Sequence, residues 1–445
     1  MNLHALLQQR QDQDRPVRVA VIGCGKFACM FLAQSLRMAG LQVVCVCDLD
    51  PDRARRNLLA IGWPPERCNA SDIEAACRQG TTHISEDASA CIVAAGVEIV
   101  IDATGDPLAG IYHAQLCVAQ GKHIVMVNVE ADALAGPWLA AEARKAGLVY
   151  SLAYGDQPAL ICEQVDWARA VGFEVICAGK GTRYRPEYHA STPDSVWEYY
   201  GLSQEQARLG GMNPKMFNSF LDGTKSAIEM AAVSNATGLK APAQGLSFPS
   251  CPARLLAEKL KPRAAGGILE APGMVEVVSC LDEAGEMLDD DLRWGVYVTF
   301  AAPSDYVARC FREYGLQTDS SGQYATLYRK HHLIGLELGI SIANIALREE
   351  ATGYPRGFNA DVAATAKRDL AAGEILDGEG GYCVWGQLMT AQQSLQSGAL
   401  PIGLASGVAL TRAITRGSIL SWDDVTLDTR QPAVQIRRRM QSLAA

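Results

Sequence analysis

The chain has 445 residues, 49% hydrophobic and 20% charged, with a formal net charge of −9. That length supports two or three domains with real cores, and the acidic balance disfavours bulk nucleic-acid binding. The 14 cysteines contain no C-x-x-C, so they read as small hydrophobes in a reducing cytosol rather than as a zinc or disulfide framework.

Residues 1–15 read as a polar leading helix without a signal-peptide core, and a cytoplasmic protein is expected. Val17–Ile22 reads as a buried parallel strand, and Phe27, Met30, Phe31, Leu32 and Leu36 then repeat at helical spacing. The join, Gly23-Cys24-Gly25-Lys26-Phe27-Ala28, is a G-x-G-x-x-A turn. Its first glycine permits tight geometry, its second lets the backbone approach a pyrophosphate, and its small last position packs helix on strand. The next strand ends in Cys45-Val46-Cys47, a pair expected on alternate faces, and then Asp48. Asp48 lies twenty residues after Ala28, where an acid accepts hydrogen bonds from an adenosine ribose. Further strands are expected at Val97–Ile101, His123–Val127 and Leu148–Leu152. Thr104 and Gly105 follow one strand and Asn128 the next, at carboxyl ends beside an expected nicotinamide.

Beyond Gln157 the texture changes. A strand over Val171–Cys177 leads into an expected loop, Lys180 to His189, which carries Arg183, Tyr184, Arg185, Tyr188 and His189. That density of donors suits an anionic or phosphorylated substrate, and the flanking Gly179 and Gly181 permit close backbone approach. Asn213 to Gly238 reads as one helix, capped by Asn213, with Pro214 in its first turn and Gly238 at its stop. At about 100° per residue, Asn218, Asp222, Lys225 and Glu229 fall on a stripe about 60° wide. A narrow polar stripe on an apolar helix suggests the wall of a wet cavity; an internal ion-pair network is the alternative. Further strands are expected at Met274–Ser279 and Val296–Phe300, with Asp289-Asp290-Asp291 as a solvated turn. His331 and His332 precede an apolar helix, Leu333–Leu347, that carries Glu337 and is too short to span a bilayer. His332 reads equally as a proton shuttle and as a packing residue.

From about residue 356 a small β unit is expected. Ala366–Leu376 recurs as Leu410–Leu420 at an offset of 44, with Arg, Gly, Ile and Leu in common. Arg437-Arg438-Arg439 reads as a solvated tail. Hydride transfer to a carbonyl needs an electrophile for the developing alkoxide and a proton source. Lys180, Asp222, Lys225 and Glu229 are the smallest set that offers both. A nicotinamide-binding redox sensor is the alternative of another class; it needs the glycine turn but not the charged stripe.

VIGCGKFA, IDATGDP at 101–107 and GKHIVMVNVE at 121–130 resemble the homoserine dehydrogenase-like oxidoreductases. Asn128-Val129 stands where homoserine dehydrogenases carry Asn-Lys, which counts against homoserine itself. Over nearly the whole chain, AGKGTRYRPEYH, NPKMFNSFLDGTKSAIEMAAVSNATGL and YRKHHLIGLELGIS are similar to the 1-deoxyxylulose 5-phosphate reductoisomerase-like proteins. Those join a homoserine dehydrogenase-like body to a C-terminal SAF-type β-clip domain. The resemblance implies a Rossmann doubly wound α/β domain over 1–155, an α+β substrate and oligomerisation domain over 156–355, a SAF-like domain over 356–430 and a tail over 431–445. It implies an NADPH-dependent isomerising reduction to 2-C-methylerythritol 4-phosphate, for which a divalent metal is a candidate cofactor, or a plain dehydrogenation of a hydroxy acid or sugar acid. Asp48 suits NADH; Arg53, Arg55 and Arg56 could offset it for NADPH. The expected partner is a small-molecule substrate, with no nucleic acid and no membrane, in a homo-oligomer (dimer or tetramer).

Overall fold

The computed structural model describes residues 2–442. The chain divides into two compact units, Met1–Leu160 with Leu333–Arg356, and Ile161–His332 with Gly357–Ala445.

In the first unit, apolar runs bury on both faces as strands of one parallel sheet. The strands are β1 (Val17–Ile22), β2 (Leu41–Cys47), β3 (His83–Ser85), β4 (Ile99–Asp102), β5 (His123–Met126) and β6 (Tyr150–Leu152). Their order is β3-β2-β1-β4-β5-β6, with every pair parallel. This is the doubly wound order, and the strand sequence reverses between β1 and β4. β3 was not legible in the sequence, because three residues carry no run. Val19, Val21, Phe31, Leu32, Ile99 and Ile101 form the core, joined by Ile342, Ala343 and Ile345. These last three lie on the helix Gly339–Arg348. The expected helix from Leu333 therefore starts later: Glu337 precedes it, and its Oε2 accepts from the Leu333 N–H at 3.3 Å.

Cys45 and Cys47 correct a second expectation. A strand alternates with period two, so residues two apart share a face. Both thiols reach Cys91, on the helix Ala88–Val93. In the helix Val129–Lys145, Asp132 is fully buried; its Oδ1 accepts from the Tyr150 hydroxyl at 2.9 Å, and its Oδ2 has no hydrogen-bond partner. Burial pushes this carboxyl up to about 7.

The second unit is built on a mixed sheet of β7 (Glu174–Thr182), β8 (Met274–Ser279), β9 (Val296–Ala301), β10 (Gln317–Thr318) and β11 (Tyr324–Arg329), in the order β10-β11-β9-β7-β8. β7 runs past Cys177 through Thr182, so Lys180 lies on a strand and not in a loop. A Cβ at Gly179 would sit 1.8 Å from the Glu276 carbonyl oxygen, and one at Gly181 would sit 2.0 Å from that of Leu292. These glycines serve close chain packing, not approach to a ligand. The expected single helix is two, Pro214–Leu221 and Thr224–Thr237, broken at Gly223 with φ +89°. The second is buried along nearly its whole length. It packs against β7 and β8 on one side and on the other against β12 (Ala360–Ala366) and β14 (Val384–Thr390), which pair antiparallel. β13 (Ile375–Asp377), β15 (Ser406–Leu410) and β16 (Val425–Thr426) complete the C-terminal strands.

The two copies of the C-terminal echo pair with each other. Leu370 and Ile414, equivalent positions, exchange N–H···O bonds of 2.8 and 3.0 Å. The basic tail is a helix, Pro432–Gln441. Arg437 is fully buried and paired with Asp361, and Arg438 stacks 3.7 Å from the Trp422 ring centroid. Apolar residues at 433, 434, 436 and 440 give the reason: they bury one face and take Arg437 with it.

The Asp132 environment sets a pH dependence. Between its ordinary 3.8 and about 7, the folded chain keeps a proton that the unfolded chain has released. This stabilising contribution is complete below 3.8 and gone above about 7. Thermal unfolding at about pH 5.5 and about pH 8 should show Asp132→Asn gaining stability relative to the parent as pH rises.

Candidate functional site

Two sets of residues come together, one in each unit. In the first unit, Gly23 leaves β1 with φ +92°, and a Cβ there would lie 2.6 Å from the Ala103 carbonyl oxygen. Only glycine fits. Gly25 then caps the helix Lys26–Ser35 with no side-chain cap, so the first N–H groups have no intrahelical partner. A Cβ at Gly25 would meet nothing within 4 Å, so the backbone is open to an approaching group. Lys26 is exposed, Phe27 half-buried and Ala28 buried against the core. Asp48, at the end of β2, accepts from Cys24 N–H (2.9 Å) and Asp50 N–H (3.0 Å) and pairs with Arg53 at 2.5 Å. Those bonds hold its carboxyl below the ordinary range against its own burial. Of the other two arginines, Arg55 bonds the Cys68 carbonyl at 2.7 Å and Arg56 faces Asp50 at 3.8 Å.

At the neighbouring strand ends, Asn128 Nδ2 donates to the Thr104 hydroxyl (3.1 Å) and to the Asp106 carbonyl (2.6 Å), while its Oδ1 caps the next helix at Ala131 N–H. Thr104 is fixed in turn on Asp102, whose other oxygen takes His113 Nδ1 at 2.6 Å. Gly105 has φ +70° and open space at its Cβ position. An uncapped helix start beside an open glycine, with an acid on the next strand, fits a dinucleotide.

In the second unit, Lys180 on β7 forms a buried ion pair with Glu229. Asp222 sits at the helix break. Its carboxylate pairs with Lys367 Nζ at 2.7 Å, and its backbone carbonyl accepts from His189 Nδ1 at 2.7 Å. Lys367 also donates to the Ser191 and Gly381 carbonyls, both at 2.8 Å. His189 Nε2 lies 2.8 Å from the Tyr184 hydroxyl. A carbonyl can only accept, so Nδ1 carries the imidazole proton, and in the neutral ring Nε2 accepts from the phenol. Burial lowers the His189 pKa below its ordinary value, which keeps the ring neutral. His189 stacks on Trp385 (3.7 Å between centroids) and Tyr184 on Phe248 (3.9 Å). Phe248 has φ +48°, a strained conformation for a bulky residue. It is held by its N–H to Glu276 (3.4 Å), a fully buried carboxyl raised by burial that also takes Ser247 N–H and hydroxyl.

The expected set thus separates. Tyr184, His189 and Asp222 meet; Lys180 and Glu229 meet as a pair of their own. Lys225 is half-buried. Asn218 bonds Ser191 and the Gly380 carbonyl. Arg185 pairs with Glu187 at 2.8 Å, and Arg183 is half-buried. His332 Nδ1 is tied to the Trp294 carbonyl at 2.6 Å. Sequence reading missed Lys367, Phe248, Trp385 and Glu276. Two of them left a signal: Lys367 stands where the echo has Thr411, and Glu276 is a lone acid in an apolar strand. Among the described residues no three His, Cys, Asp or Glu side chains converge to hold a metal, and no helix is long and apolar enough to cross a membrane.

Residues 155–338 match the family model of the oxidoreductase DRL catalytic domain. No curated protein matches the chain. Solved structures overlap it in part. An Agrobacterium radiobacter oxidoreductase, solved with NAD+, L-tartaric acid and magnesium, is 16% identical over 38% of this chain and 44% of its own, with a TM-score of 0.26. Biliverdin reductase from Synechocystis, solved with biliverdin and NADP+, is 17% identical over 39% and 49%, with a TM-score of 0.27. A protein described as a probable dehydrogenase from Thermotoga maritima is 11% identical over 72% and 70%, with a TM-score of 0.31. The chain thus spans about half the length of the first two. The fold assignment rests on the strand order given above.

Both buried ion pairs should be costly to break singly. Lys180→Met or Glu229→Leu alone leaves a buried charge without its partner and should cost ~3–5 kcal/mol, whereas the two substitutions together should cost less than their sum. Denaturant unfolding of the two single variants and the double variant measures this.

Proposed function

We propose that the chain is an NAD(P)-dependent oxidoreductase acting on a small, oxygen-rich, anionic carbonyl or alcohol. The observation that carries this reading is the open glycine turn, Gly23 to Ala28, at the point where the order of a doubly wound sheet reverses. The catalytic-domain match over 155–338 supports the reaction class. When bound, the nicotinamide exchanges a hydride with the substrate carbon. The residues of the chain do the rest. Gly23, Gly25, Lys26, Phe27 and Ala28 receive the pyrophosphate. Asp48, with Arg53 on it, meets the adenosine ribose. Thr104, Gly105 and Asn128 line the nicotinamide end.

The proton is moved by Tyr184 and His189. The phenol already donates to His189 Nε2, so its oxygen lone pair is free to take the proton of a substrate hydroxyl while its own proton passes to the imidazole. The Asp222 carbonyl fixes the tautomer that makes Nε2 the acceptor. The reverse transfer protonates an alkoxide. Lys367 holds Asp222, and Lys180–Glu229 holds the supporting helix, so these three position rather than react.

Within this class, the resemblance to reductoisomerase-like proteins supports the isomerising reduction of 1-deoxyxylulose 5-phosphate. A plain dehydrogenase of a hydroxy acid or sugar acid is favoured by one observation: Asp222 and Glu229, the carboxylates available for a divalent cation, are each committed to a lysine. That donor set does not fit a resident metal. We read 356–430 as a SAF-like domain, which the self-pairing of its echo supports.

The test follows reduced-nicotinamide absorbance with the purified chain, NADPH and NADH in parallel. 1-Deoxyxylulose 5-phosphate with a divalent metal is assayed in one arm, hydroxy acids and sugar acids in the oxidising direction in the other. Turnover in either arm is expected, and Tyr184→Phe should lower kcat ~100-fold or more with nucleotide affinity unchanged. Binding of nucleotide with no turnover in any arm would support the sensor reading instead.

A further inference from the structure

Sulfur is gathered at one point of the first unit in a way that packing does not require. Cys45 Sγ and Cys91 Sγ lie 2.7 Å apart, within about 0.7 Å of a bonded separation. Cys47, two residues along the same face of β2, is close enough to interact with the same Cys91 thiol. All three cysteines are buried.

We propose that Cys45 and Cys91 form a dithiol that hydrogen peroxide oxidises to a disulfide, with Cys47 as a second thiol able to close on Cys91. A thiol at hydrogen-bond distance favours a thiolate at Cys91: the neighbouring Cys45 and Cys47 lower Cys91 against its own burial, while the same interactions, and then burial, raise Cys45 and Cys47 so that they keep their protons. Cys117 is equally buried but has no thiol neighbour, and burial holds it protonated. It is the internal control for an inert thiol.

The chemistry balances. The Cys91 thiolate attacks one peroxide oxygen; the O–O bond breaks, a sulfenic acid forms, and hydroxide leaves and takes up a proton to become water. The Cys45 sulfur then attacks the Cys91 sulfur. The S–S bond forms, the S–O bond breaks, the leaving hydroxide takes the Cys45 proton, and a second water departs. Two thiols and one peroxide give one disulfide and two waters; sulfur is oxidised by two electrons and the peroxide reduced by two. A small oxidant suits the site, because a bulky disulfide cannot reach buried sulfur.

The test uses the full, folded chain without nucleotide, so it is independent of the proposed activity. The protein is treated with hydrogen peroxide, quenched with catalase, denatured in N-ethylmaleimide and mapped by mass spectrometry without reduction. The expected result is a cross-linked pair of peptides containing Cys45 and Cys91, two hydrogens lighter than the free thiols, reversed by dithiothreitol. It should form ~10-fold faster than any oxidation at Cys117. Cys45→Ser should move the link to Cys47 and Cys91. Maleimide on both Cys45 and Cys91 after an exposure that oxidises the half-buried Cys29 would overturn the proposal. So would scrambled links among unrelated cysteines.

Discussion

Two buried ion pairs hold the second unit around one helix. Thr224–Thr237 runs between the sheet that contains β7 and the pair of strands β12 and β14. Lys180 reaches it from β7 through Glu229, and Lys367, at the end of β12, reaches its start through Asp222. Charges removed from water are tolerated only when paired and hydrogen-bonded, so each lysine fixes both the depth and the rotation of the helix. The apolar length of the helix supplies the burial; the ion pairs supply its register. The break at Gly223 is part of the same arrangement, because it turns the Asp222 carbonyl outward from helical bonding toward His189.

That carbonyl has a chemical consequence. A backbone oxygen never donates, so it dictates which imidazole nitrogen holds the proton and thereby makes the other an acceptor for Tyr184. Stacking on Trp385 and Phe248 holds both rings, and the strained backbone of Phe248 is kept in place by the buried Glu276. A polar pair that is oriented before any substrate arrives needs little reorganisation when a proton moves.

In the first unit the constraint is topological. Reversal of the strand order between β1 and β4 leaves a crevice at their carboxyl ends, into which the Gly23 turn opens. Asp48 ends the strand on the far side of β1. The same strand, β2, directs Cys45 and Cys47 to one face and toward Cys91, so Asp48 and the sulfur cluster share a backbone.

Much of the first unit was legible in the residues themselves. β1 has the expected bounds, and the Gly23–Ala28 turn is local, since a glycine forced to positive φ and a small residue packed on a strand are requirements of neighbouring atoms along the chain. The echo at 366–376 and 410–420 was visible too, but not that its two copies bond to each other. The candidate site was legible in its residue types and not in its pairings. Period and composition singled out Lys180, Asp222, Glu229 and His189 as candidates. They could not join Lys367 to Asp222 or Cys91 to Cys45, because those partners lie on distant segments and meet only when the sheets close. Nor could they show that Arg437 is buried, that Lys180 lies on a strand, or that Asp132 holds its proton near neutral pH. Sequence by itself determined the turns, the periodicity and the strands that bury on both faces, because backbone sterics and side-chain alternation act over a few residues. Only the tertiary structure decided which charges pair and which groups lose water, because burial is set by every segment that packs around them.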